Sequence, residues 1–111
     1  DEGARVGPVT VNRDDVVAVL SRLPWGARVP QFQMLIDRVG GKDRLCLRLV
    51  APVGVDVQEL LTVFLSQRPM FRESVEKNLI APLAVERVQE SALARNPRTG
   101  KLRLVVDQRF T

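Results

Sequence analysis

No histidine occurs anywhere in the 111 residues. The commonest general base is therefore missing, and so are Ser-His and Cys-His nucleophile pairs. Cys46 is the one cysteine. With no His and one Cys a structural zinc site is excluded, and so is a disulfide within the chain. That favours a reducing, cytoplasmic setting. Cys46 sits in Leu45-Cys46-Leu47, where a thiol acts as a small buried hydrophobe, and it is read as inert. Tyr is absent and aromatics make up 5%, too few for the stacking platforms of single-strand nucleic-acid binders. No apolar run approaches the roughly 20 residues of a membrane helix, so no membrane partner is expected. No Gly-rich loop of the kind that cradles phosphates is present. The start carries no basic, then apolar, segment, so no signal peptide is visible. Asp1 stands first in place of Met, which predicts a piece of something longer.

What the chain does contain is ordinary for a globular domain. Hydrophobic residues are 45% and charged residues 27%. The length fits one domain, 1–111, large enough to bury a core and too short to include a large nucleotide-binding domain. Lys and Arg number 17 against 13 Asp and Glu, and the isoelectric point is about 10.2. The arginines are scattered rather than clustered. On charge alone nucleic acid is a competitor as a partner; the scarcity of aromatics argues against it.

Apolar spacing predicts the elements. Residues 6–12 read as extended. Asn12 or Asp14 can cap a helix over 13–23, with Val16, Val19, Leu20 and Leu23 on one stripe and Pro24 as the stop. Trp25 is expected at the edge of the core. Residues 31–39 and 44–50 alternate apolar and polar as two strands of a hairpin, joined by Gly40-Gly41-Lys42-Asp43. Asp56 can cap a helix over 56–67, whose stripe is Val57, Leu60, Leu61, Phe64 and Leu65. A second short helical piece is expected over 71–78. Strands follow at 84–91, with a bulge near Val88, and at 102–106. The predicted class is α+β: a small, mostly antiparallel sheet covered on one face by two main helices, related to the ferredoxin-like arrangement.

The stretch Leu93-Ala94-Arg95-Asn96-Pro97-Arg98-Thr99-Gly100-Lys101 holds the chemistry. A lysine is a compact charge on a flexible stem. Beside a glycine on a loop it suits contact with a phosphate or carboxylate oxygen, because Gly100 lets backbone approach a ligand closely. The plain alternative is a basic turn on a hairpin. Asp107 and Arg109 read as a solvated pair.

Three segments resemble the C-terminal domain of adenylate-forming enzymes of the phenylacetate–CoA ligase type. They are residues 9–20; Pro30-Gln31-Phe32-Gln33 with Asp43-Arg44-Leu45-Cys46-Leu47; and the ending Val85-Glu86-Arg87-Val88, Leu93-Ala94-Arg95, Gly100-Lys101 and Val105-Val106-Asp107-Gln108-Arg109. The resemblance implies a lid that closes over a larger ATP-binding domain of the same polypeptide. It implies that Lys101 is catalytic, approaching the acyl carboxylate and the α-phosphate as the adenylate forms. Arg95, Gly100 and Arg103 are the neighbouring candidates for contact with substrate or nucleotide. The implied substrates are an aromatic or other small carboxylic acid, ATP with magnesium, and CoA; none is expected to be bound by this chain alone, and no metal site is expected. The chain departs from the pattern at Arg13 and Val17, where the family has proline and glutamate. It departs again at Leu104, where the family has arginine, and in longer segments at 66–79 and 95–100. Two other readings stay open. One is a stand-alone ferredoxin-like module for regulation or small-ligand binding. The other is an RNA- or DNA-binding domain driven by its arginines.

Overall fold

Alternation along residues 32–49 builds the centre of the molecule. In the computed structural model, which describes residues 3–110, β3 (Phe32–Val39) and β4 (Lys42–Leu49) form an antiparallel hairpin. Asp1, on which the expectation of a longer parent rests, lies outside those residues. Register places Phe32 opposite Leu49, Met34 opposite Leu47 and Ile36 opposite Leu45, so one face is apolar along its length. Only Gly40 and Gly41 form the turn, both with positive φ (59° and 79°), as a two-residue hairpin turn requires. Lys42 and Asp43, expected in the turn, belong to β4 instead.

Two short strands flank this pair. β5 (Ala84–Arg87) runs parallel to β4, and β6 (Val105–Asp107) runs parallel to β3. The order is β5-β4-β3-β6. The sheet is thus mixed, with its longest ladder antiparallel. β5 ends sooner than the predicted 84–91. β4 stops at Leu49, so nothing remains to pair with residues 89–91, and Glu90–Ala92 curls into a 3-10 turn.

Residues 6–12 are not one strand. β1 (Gly3–Val6) and β2 (Val9–Asn12) form a second antiparallel hairpin around Gly7-Pro8. Gly7 has φ 53° and its N–H donates to Asp43 Oδ2 at 2.8 Å. The hairpin, α1 (Arg13–Leu20), α2 (Glu59–Gln67) and α3 (Pro69–Glu76) together supply the cover for the apolar sheet face.

Local chemistry sets the helix ends. Asn12 is the N-cap of α1, and its backbone N–H donates to Asp15 Oδ2 at 2.8 Å. Pro24 disfavours helix at Leu23, and the chain tightens to i→i+3 bonds at Arg22 and Leu23. The helix therefore stops three residues short of the predicted end, yet Leu23 and Trp25 still reach the core. Trp25 Nε1 donates to Glu59 Oε1 at 3.3 Å. Asp56 caps a turn ahead of α2, accepting from the Gln58 N–H at 3.0 Å. Of the α2 stripe, Leu60 and Phe64 are fully buried while Leu61 and Leu65 are only partly so. Phe64 meets Phe71 of α3 edge to face, centroids 5.2 Å apart. Arg68, between α2 and α3, pairs with Asp15 at 2.9 Å and fastens the helices together.

Candidate functional site

Lys101 lies at the exposed end of a small hairpin between the 3-10 turn and β6. Arg95 and Leu102 form an antiparallel bridge. The Asn96 N–H donates to the Lys101 carbonyl at 2.8 Å and the Gly100 N–H to the Asn96 carbonyl at 2.8 Å. Asn96 Oδ1 accepts from the N–H groups of Arg98 (2.9 Å) and Thr99 (3.4 Å). The tip is thus a closed, internally bonded turn, as Asn and Gly favour.

Gly100 has φ 73°, and a Cβ built there would meet nothing within 4 Å. Within this chain, its backbone conformation alone calls for glycine. Residues 102–104, expected to begin the last strand, form the returning arm of this hairpin instead. The strand proper starts at Val105, because only there does the chain come into parallel register with Met34.

All four predicted residues fall on this hairpin, in different settings. The Arg95 guanidinium is engaged: Nη1 donates to the Gly100 carbonyl at 3.0 Å and Nη2 pairs with Glu90 at 3.3 Å. Lys101 and Arg103 are exposed, as is Arg98. Among the described residues, no carboxylate lies within ion-pair distance of these three cations. The arrangement offers positive charge at a projecting tip, with no cradle of its own around a ligand.

The base of the hairpin rests on a residue that alternation assigns to the polar sheet face. Gln33 of β3 is 0% exposed. Its Nε2 donates to the carbonyls of Ala94 (2.9 Å) and Arg103 (2.6 Å), and its Oε1 accepts from the Ala94 N–H at 3.1 Å. Arg48 also donates to Oε1, at 3.5 Å, and pairs with Glu86 at 3.0 Å. Sequence reasoning missed this residue's part. The signals available were an amide near the start of a central strand and its place in the Pro30-Gln31-Phe32-Gln33 match.

The Asp107–Arg109 pair is more than a solvated contact. Arg109 grips Asp107 with two side-chain bonds, 2.9 and 2.7 Å, and reaches Asp43 Oδ2 at 2.8 Å. Those bonds from Arg109 hold the Asp107 carboxyl down at about 2 and push the guanidinium up. Burial alone would raise Asp43, but the Gly7 N–H and the Arg38 and Arg109 guanidiniums outweigh it and hold its carboxyl below the usual value. Cys46 is buried, and burial pushes its thiol up.

A groove of about 340 Å³ lies beside the hairpin, lined by Arg13, Pro30, Gln31, Phe32, Leu102 and Leu104. Among the described residues, no group of three His, Cys, Asp or Glu is placed to hold a metal, and no helix is long and apolar enough to cross a membrane.

No protein-family model matches the chain, and no curated protein matches it in sequence. Solved structures do match. One is 2-hydroxyisobutyryl-CoA ligase, in complex with 2-HIB-AMP and CoA in the thioesterification state. It shares 20% identity at a TM-score of 0.53, over 98% of this chain and 22% of that one. Another is a domain of phenylacetate-coenzyme A ligase from Bacteroides vulgatus ATCC 8482, at 12% identity and TM-score 0.52, over 98% of this chain and 94% of that domain. The fold is one found in CoA-ligase domains. This chain spans about a fifth of the length of the complete ligase it matches (22%). At these identities the likeness establishes an α+β fold shared with such domains.

Proposed function

We propose that this chain is the C-terminal lid of an ATP-dependent acyl-CoA ligase of the phenylacetate–CoA ligase kind. Its partner is the large N-terminal adenylating domain of the same polypeptide. The observation that carries the reading is Lys101: an exposed cation without a carboxylate partner among the described residues, at the tip of a hairpin on a fold found in CoA-ligase domains.

The chemistry asks for such a group. Adenylate formation brings an acyl carboxylate against the α-phosphate of ATP, and two anions must meet. A cation placed between them lowers the repulsion most where charge is most crowded, in the transition state. The substrate is an aromatic or other small carboxylic acid, then CoA; the acyl pocket, the phosphate cradle and the magnesium ligands belong to the large domain. Arg98 and Arg103 add positive potential around Lys101, and Arg95 keeps Gly100 in place from within the hairpin. A cytoplasmic setting fits ATP and CoA as co-substrates.

The test compares the 111-residue chain with the full-length protein that carries it. The full-length protein is expected to release pyrophosphate from ATP when supplied with its acid. The chain alone is expected to release none and to show no micromolar ATP binding by calorimetry. Adenylation by the chain alone, or none by the full-length protein across a panel of aromatic and small aliphatic acids, overturns the reading.

A further inference from the structure

We infer that Gln33 is a positioning residue for Lys101: its buried amide locks both arms of the hairpin base onto the N-terminal end of β3 and so fixes where the lysine is presented. The inference rests on the ligase-lid reading above for its consequence in catalysis, but not for the clamp itself.

The two arms are residues 94–96 and 101–104. They meet at the base, where the Arg103 N–H donates to the Ala94 carbonyl at 3.1 Å. Gln33 bridges them, one Nε2 hydrogen for the Ala94 carbonyl and one for that of Arg103, while Oε1 accepts from the Ala94 N–H. The returning arm has a second bond to the sheet, from the Met34 N–H to the Leu104 carbonyl at 2.8 Å. The first arm has none of that kind. Among the described residues, the hydrogen bonds joining it to the sheet all run through Gln33.

The residue type is matched to the task. A primary amide offers two donors and an acceptor from one planar group, which is what two carbonyls and one N–H at a hairpin base require. Glutamate at neutral pH would set a carboxylate against two carbonyl oxygens. Methionine would fill the space and leave the backbone groups unpaired. Asparagine would keep the chemistry but fall short by a methylene. β3 is the right anchor because it is central and paired on both sides, so a clamp there moves little. Lys101 then depends on a rigid element for its position although it stands on an exposed turn.

The experiment has two arms. In the 111-residue chain, amide hydrogen exchange is compared for wild type, Gln33→Asn and Gln33→Met. Exchange at Asn96, Gly100 and Arg103 should rise at least about 10-fold, a loosening of local stability, while amides of β3 and β4 hold. If Gln33→Met melts the chain, Gln33→Asn carries the test. Unchanged hairpin exchange, or an equal rise throughout the sheet in Gln33→Asn, overturns the clamp.

In the full-length protein, Gln33→Asn should slow adenylate formation on the order of 10- to 100-fold, as small misplacements of a catalytic group do. KM for ATP and the acid should hold, since Gln33 touches neither. In a Lys101→Ala background the same change should cost nothing further, because it acts through Lys101; an additive loss overturns the positioning role. If Lys101→Ala leaves adenylation intact, the lid reading fails while the exchange arm still decides the clamp.

Discussion

Arg109 Nη1 stands 2.8 Å from Asp43 Oδ2 and ties the segment after the last strand to the start of β4. The same carboxylate accepts from the Gly7 N–H at 2.8 Å and from Arg38 at 3.3 Å. One side chain thus gathers the N-terminal hairpin, the central hairpin and the C-terminal segment. The Arg109 and Asp43 side chains are only 12% and 14% exposed, so this network is shielded far better than a surface pair. Asp43→Ala leaves the Gly7 N–H without its partner and should destabilise the chain by about 1–3 kcal/mol. Urea unfolding should show a lower midpoint with an unchanged slope; an unchanged midpoint would remove the network from the account.

Acid should weaken the same region. The folded-state carboxyls of Asp107, at about 2, and Asp43 lie below their unfolded values. Groups of that kind contribute stability that is fully present above the unfolded pKa of about 4 and is lost as pH falls through the folded one. Stability should therefore decline from about pH 4 toward pH 2. In Asp107→Asn the decline should be shallower, read from urea midpoints across that range.

The core is tested best on α2. Leu60 and Phe64 are fully buried, and Leu61 is only partly so. Leu60→Asp buries an unpaired charge and should abolish the cooperative melt, whereas Leu61→Asp should keep a melt at lower temperature. Phe64→Ala also removes the edge-to-face partner of Phe71 and should cost about 3–5 kcal/mol. A near-normal melt for Leu60→Asp contradicts the packing.

Cys46 should be nearly silent to alkylation. It is 7% exposed and its thiol is pushed up by burial, so little thiolate is available. Iodoacetamide at pH 8 should label it slowly in buffer and quickly in urea. Rapid labelling of the folded chain would place it elsewhere.

Much of the architecture is legible in local pattern. The Val16/Val19/Leu20 part of the first stripe, the alternation of β3 and β4 and the Gly40-Gly41 turn each fit the element they predict, because period and turn chemistry are local properties. The Gly7-Pro8 turn was missed although Val6 falls out of the alternation that Val9 and Val11 keep; the partner of the Gly7 N–H lies 36 residues away. Gln33 was hidden by distance along the chain. Alternation puts it on the polar face, and what buries it lies 61 and 70 residues further along the chain. The Lys101 loop was legible as exposed because Asn, Pro and Gly punctuate it; its anchorage was not.

The most direct measurement separates the two half-reactions in the full-length protein bearing Lys101→Ala. Adenylate formation should fall on the order of 10²–10³-fold, comparable to loss of one donor aimed at developing charge. Thioester formation from pre-made acyl-adenylate and CoA should stay near wild type, since the two anions are by then already joined. Equal losses in both half-reactions, or none in either, would contradict the role of Lys101 and with it the ligase-lid account.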